Sequence, residues 1–186
     1  MQGETPGSPN CHNAVIVWLT GVPAAGKTTI AIEVARRLST SGGMPVILDG
    51  DQLRAGVCAD LGFSEADRIE NVRRVGELAS LLYRQGMIVL CALVSPYRAS
   101  RDRVRALVPA GRFLEVHVMA DLDTCRARDP KGLYAKADQG KLEALTGVSA
   151  TYEPPLAPEL TIDTRHIRPA AAGDLVMDLL RTRGVA

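Results

Sequence analysis

Gly21-Val22-Pro23-Ala24-Ala25-Gly26-Lys27-Thr28 has the spacing G-x-x-x-x-G-K-[ST]. Glycines at the two ends let the backbone turn sharply, so that its N–H groups can approach an anion. The start of a following helix adds the positive end of a dipole. Lys27 then reaches the β- and γ-phosphates of a nucleoside triphosphate, and the Thr28 hydroxyl completes the oxygen shell of a magnesium ion. Gly21 to Thr28, with Thr29 beside them, form a candidate ATP cradle. The competing reading is a chance match at a Gly-rich turn, but an apolar run precedes this loop and an amphipathic run follows it. The loop by itself does not separate a kinase from a GTPase or an ATPase.

A second group of residues has the chemistry of an acceptor site. Asp49-Gly50-Asp51 follows a short apolar run. Read as an extended segment, it turns one carboxylate toward magnesium-bound water, with Asp49 the candidate, and the other toward an acceptor hydroxyl. Phosphoryl transfer needs positioning and charge compensation more than covalent chemistry. The plainer alternative is an Asp-Gly turn. Arg54, Arg68, Asn71, Arg73 and Arg74 cluster near the start of a long helical pattern, where the macrodipole favours acids. An anionic ligand explains them, and so does a solvated face with ion pairs to Glu65 or Glu70. Ser95-Pro96 follows another apolar run, where Ser95 either bonds a ligand or ends a strand. Asp129-Pro130-Lys131-Gly132-Leu133-Tyr134 combines cations with an apolar clamp, as a segment closing on substrate would need. His12, His117 and His166 are scattered without metal-ligand spacing and read as structural.

These groups need a scaffold. Continuous apolar runs at 14–20, 46–48, 88–94, 113–119 and 160–162 read as strands. Helical spacing fills 28–39, a long stretch capped by Ser64 with Asp67 at its third position, 98–108, 122–128 and 170–180. Strands alternating with helices imply an α/β three-layer sandwich of the P-loop NTPase kind, with a mostly parallel five-stranded sheet. The strand C-terminal ends then share one edge, where such sheets bind ligands. From about 129 to 155 the periodicity fails, and so long an irregular stretch in a compact domain reads as a lid. Residues 1–13 read as a disordered tail and 14–186 as a single domain.

Whole-chain totals exclude several classes. The 186 residues suit one domain, and a net charge of +1 gives no electrostatic case for nucleic acid or membrane binding. No apolar stretch reaches the length of a membrane span. Cys11, Cys58, Cys91 and Cys125 are too widely spaced for a zinc site or a disulfide framework, which fits a reducing, cytoplasmic setting.

The motifs together resemble the adenylylsulfate (APS) kinase family from about residue 17 to 164. Beyond the loop, the likeness rests on DGDQLR at 49–54, LGFSEADRIENVRR at 61–74 and VSPYRASRDRVR at 94–105. It continues with RDPKGLY at 128–134 and LTGVSATYEPPLAPEL at 145–160. The resemblance implies transfer of the ATP γ-phosphate to the 3′-hydroxyl of APS, giving PAPS and ADP, with magnesium and commonly in a homodimer. It implies Lys27, Asp49 and Asp51 as catalytic groups, with Asp51 orienting the 3′-hydroxyl. Arg54, Arg68 and Asn71 would contact the sulfate and phosphate, and Phe63 one face of the adenine. Lys131 would be the lid cation, with Leu133 beside it, and Ser95 matches a serine linked to a phosphoenzyme in some members. The family more often has Ser and Gly at the positions of Pro23 and Ala24, Asn at Gln52, and Phe at Leu145, on the opposite adenine face.

Three other functions compete. A kinase for another small acceptor would not need the set Phe63, Arg68, Asn71 and Lys131. A non-catalytic APS/PAPS-binding regulatory module would lack the cradle, but Lys27, Thr28, Asp49 and Asp51 are all present. A GTPase switch would carry N-K-x-D, which is missing. A working link to an ATP sulfurylase is compatible with the sequence.

Overall fold

A computed structural model describes residues 13–142 and 144–185. The elements run β1 (Val15–Thr20), α1 (Lys27–Thr40), β2 (Pro45–Asp49), α2 (Gly50–Arg54), α3 (Glu65–Arg84), β3 (Ile88–Ala92) and α4 (Arg98–Arg105). They continue with β4 (Phe113–Met119), α5 (Leu122–Arg128), α6 (Leu133–Asp138), β5 (Leu160–Asp163) and α7 (Pro169–Thr182). The five strands form one sheet in the order β2-β3-β1-β4-β5, and every pairing is parallel. The expected parallel α/β sandwich is therefore present, without an antiparallel strand among the described residues.

β1 is buried on both faces, which explains its unbroken apolar sequence. Val15, Val17 and Leu19 join a core with Ile30 and Val34 of α1 and Val176 and Leu180 of α7. Ile16 and Trp18 point the other way, into a core with Val72, Val75 and Ala79 of α3 and Val104 of α4. Because all strands run the same way, the segments after β1, β2, β3, β4 and β5 emerge at one edge.

Caps fix where the helices start. The Ser64 hydroxyl accepts from the Asp67 N–H and the Asp67 carboxylate accepts from the Ser64 N–H, so the expected capping box is formed. Two helices were not legible. The Asp49-Gly50-Asp51 segment is not extended throughout: Asp49 ends β2 and caps α2, and Asp51 lies in the first turn of α2. The 129–155 stretch is not wholly irregular, because it contains α6. The Asp129 carboxylate starts that helix by accepting from Leu133 N at 2.7 Å and Ala135 N at 3.0 Å. The tail expected at 1–13 falls, except for Asn13, outside the described residues, as do Cys11 and His12.

Candidate active site

The cradle forms where β1 turns into α1. At Gly21 a Cβ would meet the Val118 carbonyl oxygen at 2.1 Å, with φ at +152°, so no side chain fits there. Gly26, at φ 103°, caps α1. Ala24 holds a left-handed φ of 60°, a conformation that costs a non-glycine residue on the order of 1 kcal/mol. It stands where the family more often has glycine.

Lys27 lies inside the loop. Its Nζ donates to the carbonyls of Gly21 and Val22, both at 2.8 Å. Burial pushes the ammonium down to about 7; Cys125 and Asp49 act to raise it and Lys131 to lower it. A cation held this way gains most when anionic oxygens replace its desolvated surroundings.

Thr28 and Asp49 connect the two halves of the site. Thr28 Oγ1 donates to Asp49 Oδ2 at 2.7 Å. The other oxygen, Oδ1, accepts from Asp51 N at 3.0 Å and Gln52 N at 3.3 Å, so the acid that meets the cradle also starts the helix carrying Asp51. Asp51 is exposed and ion-paired with Lys131, which arrives from the connection between α5 and β5.

The arginine cluster divides. Arg73 and Arg74 pair with Glu70, and Arg74 also with Asp60, which is the solvated-face alternative. Arg54 and Arg68 instead lie against Phe63, with guanidinium carbons 4.5 and 5.6 Å from the ring centre. Phe63 itself is 56 % exposed. Arg54 donates to Gly62 O, and Arg68 to Phe63 O, Thr146 Oγ1 and Ala144 O. Burial lowers both guanidinium pKa values. Asn71 is buried, and its Oδ1 has no hydrogen-bond partner among the described residues, an acceptor left open beside this group.

Two residues expected at the acceptor site are buried in the fold. Leu145 is 3 % exposed and packs with Cys125 and Tyr134, against Val22, Ala24 and Leu133. It has no open face for an adenine ring; it packs the α5–β5 connection onto the cradle. Ser95 is 2 % exposed, and its hydroxyl bonds Trp18 and Thr20 rather than the open edge.

Thr164 was missed in the sequence, and Tyr134, read there as part of an apolar clamp, has a hydrogen-bonding role as well. Thr164, just past β5, donates from its hydroxyl to Ala25 O at 2.9 Å and accepts from Arg128 Nη1 at 2.9 Å. Tyr134 donates to Pro23 O at 3.0 Å. Their places, after a strand end and after the Asp129-Pro130 break, were the available signal. Among the described residues no His, Cys, Asp and Glu side chains group as three or more potential metal ligands. No helix among them is long and apolar enough to cross a membrane.

Comparison with known proteins agrees with this geometry. The adenylylsulphate kinase family profile matches residues 13–163. An adenylyl-sulfate kinase of Shewanella denitrificans is 54 % identical over 158 residues, covering 85 % of this chain and 77 % of that protein. The bifunctional enzyme NodQ of Azospirillum brasilense is 53 % identical over 171 residues; the match takes in 92 % of this chain but spans only 28 % of that longer protein. The Mycobacterium tuberculosis APS kinase CysC, solved in complex with AMPPNP and APS, superposes with a TM-score of 0.87 at 40 % identity. That superposition covers 91 % of this chain and 98 % of the other. With the phosphate cradle, the paired acids and these likenesses in one chain, the protein belongs to the adenylylsulphate kinase family.

Proposed function

We propose that this kinase transfers the γ-phosphate of ATP to the 3′-hydroxyl of APS, giving PAPS and ADP, in sulfate activation. The observation that carries the reading is the Thr28–Asp49 hydrogen bond of 2.7 Å, which joins the triphosphate cradle to the helix bearing Asp51. The acceptor oxygen forms a bond to the γ-phosphorus as the bond to the β,γ-bridging oxygen breaks. The hydroxyl proton passes to the Asp51 carboxylate, and ADP leaves. Lys27 neutralises charge on the transferred group.

Magnesium fits the donors present. The Thr28 hydroxyl and the Asp49 carboxylate are hard oxygen donors, and Mg²⁺ takes few protein oxygens beside substrate phosphates. When bound it would supply charge compensation on those phosphates. Phe63 offers the acceptor adenine one stacking face. Arg54 and Arg68 suit the anionic groups of a nucleotide-sulfate, and the open acceptor of Asn71 suits an amino or hydroxyl donor on it. The 129–155 connection is the lid, with Lys131 as its cation and Leu133 and Leu145 packing its base. Residues 14–186 act as one kinase domain. A cytoplasmic homodimer supplied with APS by an ATP sulfurylase completes the reading, and light scattering in solution tests the dimer.

ADP release measured with APS against other acceptors, including gluconate, shikimate and nucleoside monophosphates, tests the reaction. Turnover confined to APS is the expected result. Equal turnover with a sugar acid, and none with APS, would overturn it.

A further inference from the structure

Beneath the acceptor edge lies a set of buried polar side chains that the reaction above does not use. Trp18 Nε1 donates to Ser95 Oγ at 3.0 Å, and Ser95 Oγ donates to Thr20 Oγ1 at 2.9 Å. Thr20 donates its one hydroxyl proton to Val94 O at 2.8 Å. Its contact with Tyr152 Oη, 3.2 Å long, therefore has tyrosine as the donor. The Tyr152 ring stacks on His117, with centroids 6.1 Å apart. Tyr152 thus ties the far end of the α5–β5 connection to the residue immediately before Gly21.

Arg101 clamps the same point from below. It is 2 % exposed, and its three donating nitrogens reach Glu115 Oε1 at 2.6 Å, Ser95 O at 2.7 Å and Glu153 O at 2.8 Å. Glu153 N donates to Pro96 O at 2.8 Å, and the Glu153 carboxylate accepts from Arg98 N. Ser95, between these contacts, holds a φ of 41°, a conformation that a non-glycine residue keeps only where its surroundings impose it. One residue beyond Pro96, Tyr97 is close enough to Glu65 and Arg68 to feel both charges. Arg68 in turn holds the other part of the connection, at Ala144 and Thr146.

We propose that Tyr152 and Arg101 are positioning residues that fix where the 144–153 limb returns to the sheet, and so set the acceptor site without touching the acceptor. This rests on the APS kinase reading above. A core filler would contribute as much stability with apolar side chains. Here the bonds run instead to one strained turn, 6 positions from Arg101, and to one point on the connection, 52 positions from Arg101 and 132 from Thr20. Arginine suits the role because its planar fork holds several acceptors in fixed directions.

The test is kinetic and uses mild changes in the full chain. Tyr152→Phe removes one hydroxyl and keeps the stacked ring; Thr20→Val removes its partner. Each is expected to raise the KM for APS several-fold and to leave the KM for ATP nearly unchanged. The double variant should be no worse than the poorer single variant, because both remove the same contact. A lowered Tm with both KM values unchanged would mean that the network only fills the core and would overturn the proposal. Equal rises in both KM values would also overturn it. If Thr20→Val does not fold, the KM split in Tyr152→Phe decides alone. Wild-type protein without APS-dependent ADP release would reject the reaction itself, which separates that failure from this one.

Discussion

The Asp49 carboxylate serves two elements at once: Oδ2 accepts the Thr28 hydroxyl at 2.7 Å and Oδ1 caps α2 through Asp51 N at 3.0 Å. The two tasks can be separated. Asparagine caps helices about as well as aspartate, whereas alanine loses about 1 kcal/mol at such a position. Asp49→Asn should therefore unfold close to wild type in urea, and Asp49→Ala about 1 kcal/mol earlier. Both should lose roughly 100-fold or more in kcat, because neither keeps the negative charge beside the phosphates. A wild-type kcat in Asp49→Asn would make Asp49 a structural cap only.

Asp51 and Lys131 give a different pattern. Both are more than half exposed, so their ion pair contributes under about 1 kcal/mol to stability. Asp51→Asn should leave the melting temperature unchanged and lower kcat by roughly 100-fold or more, with little change in the KM for ATP. Lys131→Ala should weaken APS binding and free Asp51. Finding the Asp51→Asn kinetic pattern only in Asp49→Asn would exchange the roles of the two acids.

Lys27 predicts a proton signature. In the fold, burial depresses its pKa from 10.5 to about 7. Between those values the unfolded chain carries a proton that the folded chain lacks, so this group makes stability rise with pH in that window. A bound triphosphate restores the charged form. Calorimetric titration of AMPPNP at pH 8, in buffers of different ionisation enthalpy, should show net proton uptake that disappears in Lys27→Met. Heats independent of buffer in the wild type would show Lys27 already charged.

Much of this was legible locally. β1 announces itself because both its faces are buried, the cradle because Gly21 has no room for a side chain, and α3 because Ser64 and Asp67 form a box within four residues. What escaped depends on distant partners or on elements too short for a period. α2 and α6 have five and six residues and are started by Asp49 and Asp129, whose carboxylates fold back from outside the helix. Ser95 reads as an edge residue until Trp18 and Thr20, more than 70 positions earlier, claim its hydroxyl. The arginines near Phe63 were recognisable as a group, but only the fold divides Arg54 and Arg68 from the ion-paired Arg73 and Arg74.

Leu145 is the sharpest case of that kind. Its place in sequence, where the family usually has phenylalanine, made it a candidate stacking face. In the fold it is 3 % exposed and wedged with Cys125 and Tyr134 under the connection, against Val22 and Ala24 of the cradle. A phenylalanine there adds volume to a filled site, which costs typically about 1–3 kcal/mol. The displaced neighbours include the loop that holds the triphosphate. Leu145→Phe should therefore lower the melting temperature and weaken both AMPPNP and APS binding. Leu145→Met, close in volume, should be nearly neutral for all three. Separate titrations of the two ligands check this. A several-fold tightening for APS alone in the phenylalanine variant would mean that the connection opens far enough for residue 145 to reach the adenine, and would return this position to the acceptor site.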